Sequence, residues 1–239
     1  MLINAHWLKK NRTNKNVKIL DASWYLPNSQ RDAKKEYKKK RIPGAIFFDI
    51  DDICNKKSKL PHMLPTQKYF EKKISNLGIN SNDILVVYCK EGILSSPRVW
   101  WMFKYFGHKK VFVLNGGLKG WTLANGISKY GPIKLKKTKY KAGRINSHYN
   151  CTYDELVEKF KKKESLYILD ARPKKRFLEL EPEPRETIGR GKIEGSLSLD
   201  FSLLDSKGFL KSKKKIRNIF NDLINKNKKI VCSCGSGVS

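Results

Sequence analysis

Ile19-Leu20-Asp21-Ala22 returns in the same form as Ile168-Leu169-Asp170-Ala171. Two further landmarks repeat in the same order. Ile42-Pro-Gly44, followed by Asp49, matches Ile193-Glu-Gly195, followed by Asp200, and Leu85-Val-Val-Tyr-Cys89 matches Ile230-Val-Cys-Ser-Cys234. Matched landmarks separated by more than half the chain mean one unit present twice, because solenoid periods are ~20–50 residues.

Each copy alternates strand and helix patterns. In the first, 19–22, 45–49, 84–88 and 111–114 read as strands. The continuous apolar run Ile84-Leu-Val-Val-Tyr88 suits a parallel strand covered on both faces. Residues 66–78 place Tyr69, Phe70, Ile74 and Leu77 on one helical face with Gly78 as the stop. Residues 96–106 form an apolar helix closed by Gly107, and 116–121 open a short last one. The second copy begins with Thr152-Tyr-Asp-Glu155, a capping-box pattern. It continues with a strand at 167–171, a helix carrying Ile216, Ile219, Phe220, Leu223 and Ile224, and a strand at 229–233. The expected fold is α/β: two tandem domains, each a mainly parallel sheet flanked by helices. Residues 1–125 form the first, 126–150 a connector without sustained periodicity, and 151–239 the second.

A chain of 239 residues has room for two domains of about 100–120 residues. Its 51 Lys and Arg against 22 Asp and Glu leave a net charge of +29, which would suit a polyanion binder. The lysines are spread over the whole length, however, and the runs at 34–40 and 211–215 read as solvated faces, so no specific nucleic-acid partner is expected. The first residues lack the apolar core of a secretory signal, and no apolar stretch approaches the ~20 residues of a membrane span. Five cysteines, odd in number and unpatterned, argue for a reducing cytoplasm over a disulfide framework. Cys232-Ser-Cys234 lacks a second ligand pair, so neither a metal nor another cofactor is expected.

The candidate nucleophile is Cys234. It directly follows a buried-strand pattern and precedes Gly235-Ser-Gly237, a composition that lets successive N–H groups converge on negative charge. A thiol in such a loop is held more readily as thiolate, the attacking species. The alternative is a structural cysteine, which is the reading for Cys232.

The repeated unit ending in Cys-Gly-Ser-Gly-Val-Ser resembles the two-domain rhodaneses, and within them the 3-mercaptopyruvate sulfurtransferases. The stretches 41–53, 60–65, 95–108, 114–121, 169–177 and 181–185 resemble that family in order, so the likeness spans essentially the whole chain. It implies a persulfide relay: Cys234 takes sulfur from 3-mercaptopyruvate, pyruvate leaves, and a thiol such as thioredoxin or a small thiol, or cyanide, takes the sulfur. It assigns the substrate carboxylate to Arg176 and Arg185, whose planar guanidinium groups grip carboxylates in a bidentate way. Gly235, Gly237 and Val238 line the loop, and Asp51, His62 and Ser236 correspond to a proton relay beside it. The first domain is expected to be catalytically silent. Thiosulfate-preferring relatives carry basic residues after the cysteine; the neutral loop here favours mercaptopyruvate, with thiosulfate as the alternative donor.

Some residues depart from the family pattern. Cys89 stands at the first unit's counterpart of the nucleophile, where Asp is common, and is either a substitution in a silent loop or a second sulfur acceptor. Lys192-Ile-Glu-Gly195 replaces His-Ile-Pro-Gly, and Ser239 replaces Thr. The second unit stops five residues after Cys234, whereas the first continues from Cys89 through a helix and a strand. The expectation is a C-terminally truncated copy of doubtful activity. Two other readings are a non-catalytic docking module and, on charge alone, a nucleic-acid binder. A cysteine phosphatase is a weak fourth, since no Arg closes a phosphate loop after Cys234.

Overall fold

The computed structural model describes residues 1–185, 189–224 and 228–238. In the first unit the elements run β1 (Leu2–Ile3), α1 (Ala5–Asn11), β2 (Val17–Asp21), α2 (Ala33–Lys39), β3 (Ala45–Phe47), α3 (Gln67–Asn76), β4 (Ile84–Tyr88), α4 (Ser96–Tyr105), β5 (Val111–Leu114) and α5 (Gly117–Leu123). The strands form one sheet in the order β1-β5-β4-β2-β3, with every pairing parallel.

The continuous apolar runs are explained by two-sided burial. Along β4, Leu85 and Val87 face a layer containing Phe70, Ile74, Met102 and Phe103 of α3 and α4. Val86 and Tyr88 face the opposite layer, with Leu8, Tyr37, Leu118 and Trp121 of α1, α2 and α5. Successive strand residues point to opposite faces, so helices on both sides require apolar residues at every position.

In the second unit the elements are α6 (Tyr153–Lys161), β6 (Leu166–Asp170), α7 (Lys174–Phe177), β7 (Leu197–Ser198), β8 (Asp205–Ser206), β9 (Phe209–Leu210), α8 (Lys213–Leu223) and β10 (Lys229–Ser233). The expected capping box is present at α6: Thr152 Oγ1 accepts from Glu155 N, and Glu155 reaches back to Thr152 N at 2.7 Å. Parallel strands β10, β6 and β7 form a three-stranded sheet, and β8 and β9 pair as a short hairpin. Among the described residues the buried apolar side chains of this unit are few: Ile168, Leu169, Phe177, Leu199 and Val238. β10 lies at the sheet edge, where Ile230 is 44% exposed.

Residues 126–150 lie on the first unit as a strap. Thr138 N donates to Ser75 O and Gly143 N to Phe106 O, while Tyr140 is buried against Phe70 and Phe103.

The two units cap each other. The residues after β3 of the first reach the loop after β10, and the β8–β9 hairpin of the second covers the loop after β4. The same hairpin is bonded to the residues after β5: Leu210 N donates to Asn115 Oδ1 at 2.9 Å and Lys119 Nζ of α5 to Lys207 O at 3.0 Å. Gly92, at φ +82°, lies so close to the hairpin that a Cβ there would sit 2.3 Å from the Gly208 carbonyl oxygen.

Candidate active site

Parallel strands deliver their carboxyl ends to one edge of a sheet, where the loops that follow gather. Cys234 stands one residue beyond β10 and is half-buried. Gly237, at φ +71°, turns the chain so that its amide donates to the Cys234 sulfur at 2.9 Å. A residue with a side chain would be strained at that φ, and its Cβ would stand 3.0 Å from Arg98 Nη1.

The first unit holds this loop at three points. His62 Nδ1 meets the Ser236 carbonyl at 3.0 Å. Arg98 Nη1 donates to the Gly237 carbonyl at 3.0 Å. Val238 turns its side chain into the first unit's core and is 5% exposed. Apolar burial thus turns this side chain away from the open side of the loop, where only the Val238 backbone can line it. Full burial of a valine is worth about 1.5–3 kcal/mol, enough to fix the end of a short loop.

His62 is itself 5% exposed and has φ +55°, a left-handed backbone that costs an L-residue about 1–2 kcal/mol. Its Nε2 meets Asp51 Oδ1 at 2.7 Å, and Trp24 Nε1 donates to the same oxygen at 3.1 Å. His62 foremost, then Trp24, hold the Asp51 carboxyl below its usual range. Both ring nitrogens face oxygen atoms, one on each unit. The expected serine–histidine contact is made through the Ser236 backbone carbonyl. Ser239 lies outside the described residues.

On the other side, Arg172 grips buried Asp170 with Nε and Nη2, the shortest bond being 2.7 Å. It also donates to Glu183 Oε1 at 2.7 Å. Glu183 Oε2 in turn accepts from Arg176 Nη1 at 3.2 Å. This chain of charges brings Arg176 beside Gly235: a Cβ there would stand 3.8 Å from Arg176 Nη1 and 3.3 Å from Glu183 Oε2. Arg185 lies with its guanidinium 5.8 Å from the centre of the Trp24 ring, near enough to Asp51 to favour its carboxylate. Arg176 and Arg185 thus reach the site through different neighbours, Glu183 and Trp24.

Cys89 is differently placed. It is 1% exposed, its thiol donates to the Gly92 carbonyl at 3.4 Å, and burial pushes the thiol up from its ordinary range. Of the two readings of Cys89, burial favours the substitution in a silent loop, since an enclosed thiol has neither access for a sulfur donor nor solvation for its anion. Among the described residues no group of three or more His, Cys, Asp or Glu side chains converges as a metal site, and no helix is long and apolar enough to cross a membrane.

Sequence reasoning passed over Trp24, Arg98, Arg172 and Glu183. Arg98 had a signal, a cation directly before the apolar run Val-Trp-Trp-Met-Phe of α4. Glu183 had none, since one acidic residue among prolines reads as surface.

Comparison with known proteins agrees with this architecture. The model of the rhodanese-like domain matches residues 4–124 and 152–239. The human 3-mercaptopyruvate sulfurtransferase is 36% identical over 246 residues, which take in 100% of this chain and 82% of the relative. The thiosulfate/3-mercaptopyruvate sulfurtransferase 1, mitochondrial, of Arabidopsis thaliana is 39% identical over 261 residues, 100% of this chain and 68% of the relative. Among solved structures, the 3-mercaptopyruvate sulfotransferase SseA from Escherichia coli superposes with a TM-score of 0.90 at 32% identity, covering 99% of this chain and 89% of that one. Two matched segments, filling nearly all of the chain and each carrying a cysteine loop after a parallel strand, place this protein in the family of rhodanese-like domain proteins.

Proposed function

We propose that this sulfurtransferase takes sulfur from 3-mercaptopyruvate onto Cys234 and passes it to a thiol or to cyanide. The observation that carries the reading is the Cys234 sulfur seated on the Gly237 amide at 2.9 Å, in a loop with Arg176 on one side and with His62, Asp51, Trp24 and Arg185 on the other.

The thiolate attacks the sulfur of mercaptopyruvate. A sulfur–sulfur bond forms, the carbon–sulfur bond breaks, and its electron pair stays on carbon as the enolate of pyruvate. The outer sulfur keeps its proton, leaving Cys234 as a persulfide. One further proton converts the enolate to pyruvate; in this reading it comes from the pair His62–Asp51, with the Ser236 hydroxyl as the side chain of the loop to pass it on. An acceptor thiolate then attacks the outer sulfur and Cys234 leaves as thiolate, so two easier steps replace one. Arg176 and Arg185 hold the α-keto carboxylate, while Gly235 and Gly237 leave room for the donor and turn N–H groups to the sulfur. The neutral loop fits this monoanion better than the thiosulfate dianion, which is the second donor to try. Thioredoxin or a small thiol suits the acceptor step. The five free thiols fit a reducing compartment, either the cytoplasm or the mitochondrial one that a plant relative's name indicates.

The test is pyruvate release from 3-mercaptopyruvate with a thiol acceptor, comparing this chain with Cys234→Ser. Release that depends on Cys234, with a mass gain of one sulfur on its peptide when the acceptor is withheld, is the expected result. Equal release by both chains would sink the proposal. A soluble chain inert in both forms, yet able to bind partners, would favour the docking module.

A further inference from the structure

α4 carries two cations, Arg98 in its first turn and Lys104 in its last, and buries the first. Arg98 is 7% exposed, and its guanidinium lies 4.6 Å from the centre of the Trp101 ring. Nη1 donates to the Gly237 carbonyl at 3.0 Å, Nη2 donates to the His62 carbonyl, and buried Nε has no partner. Both bonds end on neutral carbonyl groups. Among the described residues no carboxylate forms an ion pair with Arg98. A buried charge without a counter-charge is strongly destabilising, and burial draws this guanidinium down to about 10.

Two groups able to carry negative charge interact electrostatically with it, the thiols of Cys234 and Cys54. Cys54 is buried, its thiol donates to the Asp51 carbonyl at 3.1 Å, and burial pushes it up, so it stays neutral. The ring of His62 is turned to Asp51 and Ser236. That leaves Cys234. Gly237 joins the two: its amide donates to the sulfur and its carbonyl accepts from Arg98.

We propose that Arg98, a residue of the catalytically silent unit, is the fixed counter-charge of the Cys234 sulfur, holding the Gly237 turn and stabilising the anionic sulfur. It acts through Gly237 and is therefore a positioning residue. The inference rests on the reading of Cys234 as the sulfur carrier. It makes the transfer site a joint product of both units.

Arg98→Lys and Arg98→Gln in the full chain separate charge from hydrogen bonding. The readout is the rate of Cys234 alkylation by iodoacetamide against pH, with the modified residue located by tandem mass spectrometry to distinguish Cys232. The Lys chain should keep the wild-type profile. In the Gln chain the profile should move to higher pH, with the rate at neutral pH lowered about tenfold, the size of one charge-assisted bond. Coincident Lys and Gln profiles, unchanged or equally lowered at every pH, would overturn the proposal and leave Arg98 a plain anchor. A second measurement leaves Arg98 untouched: the stability difference between wild type and Cys234→Ser should grow as pH rises, the anionic sulfur being the form the cation holds. A constant difference would also overturn the proposal. Alkylation requires no sulfur transfer. If Cys234→Ser still releases pyruvate, the functional reading falls while the coupling of Arg98 to Cys234 is judged by its own result.

Discussion

The loops after β4 and β10 start from the same plan and end in opposite states. Cys89-Lys-Glu-Gly92 and Cys234-Gly-Ser-Gly237 align residue for residue, and the last glycine of each has a positive φ. What differs is the partner. The β8–β9 hairpin lays backbone against Gly92, and Cys89 in that loop is 1% exposed. Residues 51–62 approach the second loop with polar groups and leave its sulfur half-buried. The strand ends behind them diverge too. Asp21 takes both of its Ser23 hydrogen bonds on Oδ1, whereas Asp170 recruits Arg172 and through it Glu183 and Arg176. A duplicated unit has become one filled site and one furnished site, because each copy contributes the cap of the other.

The sharpest break of that comparison is a pair of cysteine changes. Cys234→Ser should reduce pyruvate release to background, while Cys89→Ser leaves kcat within about twofold, because the buried thiol makes one weak bond. Measurable release from Cys234→Ser that vanishes in the double mutant would mean the first loop opens. Next in size, His62→Gln should lower kcat about 100-fold, within the range for a positioned proton-transfer group. A change confined to KM would assign His62 to binding alone. Arg185→Lys should raise KM for mercaptopyruvate about tenfold with kcat nearly kept, since an ammonium lacks the bidentate grip; an unchanged KM would remove Arg185 from the site.

Two smaller effects concern the joint between the units. Val238→Ala should destabilise by about 1.5 kcal/mol, the value of two buried methyl groups. Protease nicking near 234–238 at unchanged global stability would show that the loop detaches locally. Asp51 carries the smallest effect. Its carboxyl is lowered by His62, so it contributes stability above the unfolded value near 4, lost as pH falls through the lower folded value. Its side chain is 63% exposed, so screening limits the contribution to less than about 1 kcal/mol. Asp51→Asn should flatten the acid limb of the denaturation profile by that amount, and an identical limb would show that the pair adds nothing.

How far the site was legible depended on how local each signal was. Cys234 could be placed because a strand run and a glycine loop are contiguous, and β10 ends at Ser233, as its apolar run ends. The capping box of α6 was legible for the same reason. The short strands β1, β7, β8 and β9 were not, since two residues carry no periodicity. Arg98 and Trp24 went unseen because each acts across long stretches of sequence, on Gly237 and Asp51 respectively.

The sequence by itself determined two α/β units, their parallel strands, the cysteine at a strand's carboxyl end and the membership that follows from them. Repetition, alternation and capping are properties of neighbouring residues. Only the tertiary structure decided which cysteine is reachable, which charges reach it, and that the loop of one unit is fastened by His62, Arg98 and the Val238 socket of the other. Burial and charge balance are set by residues distant in the chain, and they exist only once the two units have closed on each other.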